Sequence, residues 1–320
     1  MIKYITVFII LTILGYFYDK YKEKLSNYSE SENEVLIRKY LLNDGYKPNN
    51  KPPLWIYIEH EYNSRNWTSF GSRSSTNLNQ PYLYLTVKSI INQGAEDFNV
   101  CLINDNSIHK LLPNWNIELD NLANPLKQHF RRLAMMKILY NYGGMIVPPS
   151  YLALKPMYEI YDMGLSENEL FSIELPSKSI ISNIKDTNCS TKFMGATSQC
   201  AKLKDFIHTL ERLCSSDFSQ ENDFTGTVER ELNKMVMDKN MTSICGKYVG
   251  CIDDDDKTIT VNELMGTSYI QFSDKMKGIF IPNEELLLRT RFGWFPRMSE
   301  KQILSSDVIL CKFIITSVFK

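Results

Sequence analysis

The chain has 320 residues, 43% of them hydrophobic and 23% charged, with a formal net charge of −1 and a pI near 6.5. That is enough apolar material for one large domain or two small ones. The near-neutral balance gives no broad basic field, so nucleic acid is excluded as an expected partner and any phosphate contact must be local. Seven scattered cysteines include no Cys-x-x-Cys pair, which argues against a zinc site.

Tyr4 to Tyr18, YITVFIILTILGYFY, is continuously apolar. As a helix it would span roughly 22 Å, against a hydrocarbon core of about 30 Å. No small-x-small cleavage site follows it, and the flanking tyrosines and lysines suit a membrane interface. An uncleaved single-pass anchor over residues 1–24 is expected; a buried first helix is the alternative. Lys20, Lys22 and Lys24 follow the segment and Lys3 precedes it, which would hold the rest of the chain on the cytosolic side. Residues 25–51 are polar and charged and read as a stalk, with one apolar patch at Val35 to Leu41.

Pro52-Pro53 opens the main domain, residues 52–320. Leu54 to Ile58 is aromatic and β-branched and predicts a first strand, with Glu59-His60-Glu61 at its carboxyl end. Ligands of open α/β sheets bind beyond such ends, which makes His60 a candidate beside its reading as a polar loop residue. Asn63 to Gln80 is a long polar loop carrying Arg65 and Arg73. Guanidinium groups there suit a diphosphate, or else are solvated. A helix is expected from Pro81 through Ile91, closed by Gly94, then a second strand over Phe98 to Ile103. Strand, helix, strand implies a parallel crossover. Asp105 just past that strand is either a nucleotide contact or a cap for the next helix.

Leu126, Phe130, Leu133, Met136, Leu139 and Tyr140 recur at helical spacing behind Pro125. Gly143-Gly144 ends that helix, Met145 to Val147 predicts a strand buried on both faces, and Pro148-Pro149-Ser150 stops it. Further strands are expected at Phe171 to Leu175, Lys192 to Ala196 and Lys277 to Ile281, and helices at Cys200 to Leu213 and Phe224 to Met237. Asp253 to Asp256 reads as a solvated hairpin turn rather than a cation site, because a cation needs ligands converging from separated positions. The cysteines read as mostly reduced and buried; the alternative is that Cys245 and Cys251 close a small loop in an oxidising compartment. Arg289, Arg291, Trp294 and Arg297 form an arginine and aromatic cluster suited to a diphosphate and a stacked ring, or to a pinned surface loop. Val308 to Phe319 reads as a β-rich apolar end.

The stretch Leu139-Tyr140-Asn141-Tyr142-Gly143-Gly144, a helix end running into an apolar strand, resembles the core of nucleotide-sugar glycosyltransferases. The type it resembles is the DXD sugar-binding-region, capsular-polysaccharide-synthesis-like one. The likeness covers about half of the domain and is specific from Lys127 to Leu154. It implies a GT-A-like α/β fold, a mixed sheet flanked by helices. It also implies a nucleotide-sugar donor and a glycan or protein acceptor. In that family the strand after Gly-Gly ends in Asp-x-Asp, which holds a divalent cation such as manganese on the diphosphate. Here the position reads Pro148-Pro149-Ser150, so the usual ligands are absent and no cofactor is expected. The family's helix arginine and the Ser-Asp before it are replaced by Met135, Arg131 and Arg132. The resemblance adds Arg131, Tyr142, Gly143, Gly144 and Ser150 to the candidate contacts, names no catalytic base, and points to a lumenal rather than a cytosolic domain. Sugar transfer without a metal is one reading; a tethered protein that keeps the fold without the chemistry is the other.

Overall fold

A computed structural model describes residues 39–42, 50–58, 80–176, 187–216, 221–288 and 291–318. The chain divides into Met1–Lys39 and Tyr40–Lys320, and the sheet with its helices belongs to the second. Its strands are β1 (Pro53–Tyr57), β2 (Asn99–Ile103), β3 (Gly144–Ile146), β4 (Tyr151–Ala153), β5 (Leu170–Pro176), β6 (Thr187–Ala196), β7 (Thr242–Ile244) and β8 (Gly278–Phe280). The longer helices are α1 (Tyr82–Gly94), α2 (Asp105–Leu111), α3 (Leu126–Tyr142), α4 (Tyr158–Leu165), α5 (Ala201–Cys214) and α6 (Glu221–Met237). Short α7 (Val261–Leu264), α8 (Asn283–Leu288) and α9 (Glu300–Leu304) precede the terminal α10 (Ile309–Val318).

Six strands form one mixed sheet in the order β2-β1-β3-β6-β5-β7. β1 pairs parallel with both β2 and β3, β6 runs antiparallel to β3 and β5, and β7 is parallel to β5. β4 and β8 form a separate antiparallel pair. Alternation along β1 decides which layer each residue meets. Trp55 belongs to a core with Leu139 of α3, Leu203 of α5 and Phe224 of α6. On the opposite face, Leu54 and Val100 lie against Gly94 of α1. β1 and β3 are thus buried on both sides, as their unbroken apolar runs require.

The end of α3 fixes the middle of the sheet. Gly143 and Gly144 both have positive φ, +68° and +94°. A Cβ on Gly144 would stand 2.1 Å from the Pro53 carbonyl oxygen, so only glycine lets β3 enter beside β1. The Trp55 indole N–H of β1 donates to the Gly143 carbonyl at 2.8 Å and ties the turn to β1.

One expectation changes. Residues 309–318 are helix, not strand: Leu310, Cys311, Ile314, Ser317 and Val318 are buried at helical spacing, and Ser317 Oγ donates to the Ala153 carbonyl at 2.6 Å. Docking overrides the β preference of Ile and Thr there. The seven cysteines are all free thiols and six of them are buried, as the reduced reading expects. The Asp253 to Asp256 turn is as expected, with Asp253 Oδ1 accepting from the N–H groups of Asp255 and Lys257. Among the described residues no helix is long and apolar enough to cross a membrane. The expected anchor, Tyr4 to Tyr18, lies outside them.

Candidate functional site

β2 lies on one side of β1 and β3 on the other, so the chain order reverses between β1 and β3. In open α/β sheets that switch point, beyond the carboxyl ends of the strands, is where ligands bind. The carboxyl ends here are Tyr57, Ile103 and Ile146.

Asn104 caps α2 through a reciprocal box with Ser107, which places Asp105 in the first helical turn just past β2. Four side chains meet there. The Tyr57 hydroxyl donates to Asp105 Oδ1 through a short hydrogen bond. Arg131, from α3, donates from Nε to Oδ1 at 3.0 Å and from Nη2 to Oδ2 at 2.7 Å, a bidentate fork. Its guanidinium carbon also sits 5.4 Å from the centre of the Tyr57 ring. Lys127, one turn earlier on α3, brings Nζ to 3.7 Å from Asp105 Oδ2 and 3.5 Å from Asp120 Oδ1. Burial pushes the Asp105 carboxyl up, but the Arg131 and Tyr57 hydrogen bonds and the charges of Arg131 and Lys127 outweigh it. The net effect holds the group below the usual carboxylate range. Asp105 is therefore ionised at neutral pH and committed to its partners, a half-buried carboxylate held by Arg131 and approached by Lys127, which Asp120 also contacts.

The Pro148-Pro149-Ser150 segment borders the same side. The Tyr151 N–H donates to the Pro148 carbonyl at 3.0 Å, closing a turn. Thr86 Oγ1 of α1 donates to the Pro149 carbonyl at 2.6 Å, and the Ile281 N–H to the Ser150 carbonyl at 3.0 Å. Pro148 and Ser150 are buried and Pro149 half-buried. The Arg291 to Arg297 stretch is tied to the same helix. Phe295 packs 5.1 Å from the Tyr82 ring, and the Tyr82 hydroxyl donates to Asn283 Oδ1 at 2.6 Å. Arg291 and Arg297 are exposed, and Trp294 stands 43% exposed beside Phe295.

Tyr142, Gly143 and Gly144 lie elsewhere. They line a cavity of about 460 Å³ with Pro52, Pro53, Thr197 and Ser198, at the amino ends of β1 and β3. The Tyr142 hydroxyl donates to the Leu111 carbonyl at 2.8 Å, and its ring packs 5.8 Å from that of Trp55. The two glycines act through backbone packing. Of the sequence candidates, then, Asp105 and Arg131 come together, Ser150 and the Arg291, Trp294 and Arg297 stretch attach through α1, and the Tyr-Gly-Gly end is at the other pole. His60, Arg65, Arg73 and Arg289 lie outside the described residues. Tyr57 and Lys127 were not anticipated. The last residue of the first strand and a cation four before Arg131 were the available signals. Among the described residues no three His, Cys, Asp or Glu side chains converge as metal ligands. No protein-family model matches the chain and no curated protein matches it.

Proposed function

We propose that this is a GT-A-like domain that binds a nucleotide-sugar donor beyond the carboxyl ends of β1, β2 and β3 and transfers the sugar to a glycan or protein acceptor without a metal held at the Asp-x-Asp position. The observation that carries it is the Asp105, Arg131, Tyr57 and Lys127 cluster at the switch point. Lys127 and Arg131 place two cations at that crevice, shared with Asp105 and the exposed Asp120, and the Lys127–Asp120 contact is a weak surface pair that a diphosphate would displace. The helix, Gly-Gly and buried-strand unit at the sheet centre supports the same reading, because it is the element on which the resemblance rests.

A second reading is favoured by one observation. Pro148 and Ser150 are buried and carry no charge, and Asp105 is saturated by protein partners, which suits a tethered protein that kept the fold for interaction. Calorimetric titration with a panel of nucleotide sugars, with and without manganese, separates the two. The donor reading expects at least one ligand to bind equally well without manganese, and Lys127→Ala to weaken it roughly tenfold, about 1.4 kcal/mol. Failure of every donor to bind removes the donor reading and leaves the second.

A further inference from the structure

We infer that Cys245 and Cys251 form a reversible thiol–disulfide pair, a modification site independent of the proposed donor crevice. The geometry comes from how the turn after β7 is capped. Gly246–Val249 is a single 3-10 turn, and Gly250 closes it in the left-handed conformation at φ +65°. The Cys251 N–H donates to the Gly246 carbonyl at 2.9 Å and the Gly250 N–H to the Lys247 carbonyl at 3.4 Å. That is the bond pattern of a Schellman cap, in which the residue after the left-handed one folds back onto the side chain five or six positions earlier. Five positions before Cys251 is Gly246, which has none. Six positions before is Cys245. A Cβ built on Gly246 would stand 3.2 Å from Cys251 Cβ, so the Cys251 side chain does lie against the start of the turn. Burial pushes the Cys251 thiol up, and the nearby Cys245 pushes it further, in keeping with two sulfurs in one small space.

The two thiols differ in access. Cys245 is half-buried, whereas Cys251 is 2% exposed. Cys245 is therefore the group that meets an external disulfide such as oxidised glutathione. Its thiolate attacks one sulfur, the first glutathione leaves as a thiol, and a mixed disulfide forms on Cys245. Cys251 then loses its proton and attacks the Cys245 sulfur, and the second glutathione leaves. The sum is two protein thiols and one glutathione disulfide giving one protein disulfide and two glutathione thiols. The turn holds a neighbour in place: the Lys277 N–H donates to the Tyr248 carbonyl at 2.9 Å, so bridging would fasten the segment that leads into β8.

The sequence supplies its own readout, because Lys247 lies inside the ring and Lys239 and Lys257 flank it. The full-length protein is incubated with oxidised glutathione, its remaining thiols are alkylated under denaturing conditions, and it is cut with trypsin. The expected product is peptide 240–247 joined to peptide 248–257, two hydrogens lighter than their sum and separated by reductant, in most of the protein. Cys251→Ser should instead trap glutathione on Cys245, and Cys245→Ser should leave Cys251 alkylated and unmodified. Recovery of both peptides separately alkylated from the oxidised protein overturns the inference. So does Cys245 joined to any cysteine other than Cys251, or a glutathione adduct on Cys245 that persists in the unsubstituted chain.

Discussion

Replacing Asp105 by Asn is the sharpest test of the cluster at the switch point. The amide keeps the size of the carboxylate but removes the charge that Arg131 grips with two hydrogen bonds. The Arg131 side chain is only 6% exposed, so its charge would be left in the core without its counter-ion. Removing one partner of a buried pair costs about 3–5 kcal/mol. The Asp105 side chain is 22% exposed, and water there compensates in part. We expect a loss of about 2–3 kcal/mol, or roughly 30- to 150-fold in the folding equilibrium. Urea unfolding followed by fluorescence measures it. Adding Arg131→Met should recover part of the loss, with a coupling of about 1 kcal/mol or more between the two sites. Acidity gives an independent reading. An unfolded aspartate takes up its proton near pH 3.8, whereas Asp105 in the folded protein holds off to lower pH. Its contribution is thus fully present above about pH 4 and lost as the pH falls through its lowered value. The deficit of the Asn variant should be constant from about pH 5 to 8 and should shrink only in stronger acid. A loss below about 0.5 kcal/mol with no coupling to Arg131 would refute the reasoning, since such values belong to exposed pairs.

Gly144→Ala should cost more than about 3 kcal/mol or prevent folding, because its Cβ would meet the Pro53 backbone at a φ of +94°; a soluble variant with an unchanged unfolding midpoint would contradict the β1 and β3 register. Tyr151→Phe should be neutral or stabilising by up to about 1 kcal/mol, because the Tyr151 hydroxyl is buried with no hydrogen-bond partner among the described residues; a clear destabilisation in urea would mean that the hydroxyl is satisfied. Burial and the charge of Arg132 lower the His129 imidazole from 6.5 to about 4, so stability should fall as the pH drops through that window and be intact above it. The full gap corresponds to at most about 3.4 kcal/mol, and solvent screening reduces the expected loss to about 1–2; His129→Leu should flatten the profile, and an unchanged slope would dismiss the assignment.

What the sequence made legible follows from how local each signal was. The α3 helix, its Gly-Gly end and the buried β3 were readable because spacing, the glycines and the following prolines all act within a few residues. The first two strands and their parallel order were readable for the same reason, through the helix between them. Residues 309–318 were misread because Ile314, Ile315 and Thr316 favour strands locally, while the buried face against β4 is visible only in three dimensions. The site was half legible. Asp105 and Arg131 were each singled out, but as ligand contacts. That they grip one another depends on β2 and α3 meeting across 26 positions of chain. Tyr142, Gly143 and Gly144 belong to the motif that carries the resemblance, and spacing alone does not separate residues that shape a fold from residues that touch a ligand.

The Pro148 to Ser150 segment shows the same limit more sharply. Residues two apart in an extended strand point the same way, which is how Asp-x-Asp holds one ion. That premise fails at this position. The Tyr151 N–H closes back onto the Pro148 carbonyl, so the backbone turns before Ser150 instead of running on. Thr86 and Ile281 then hold the Pro149 and Ser150 carbonyls from two different elements. Changing the side chains back to carboxylates would not by itself restore a chelating pair, because the turn is fixed by the two prolines and by bonds from outside the segment. The departure from the resembled pattern is therefore one of backbone as well as charge. Under the proposed donor reading, Lys127 and Arg131, on α3 beside the end of β2, are the cations that a diphosphate would meet.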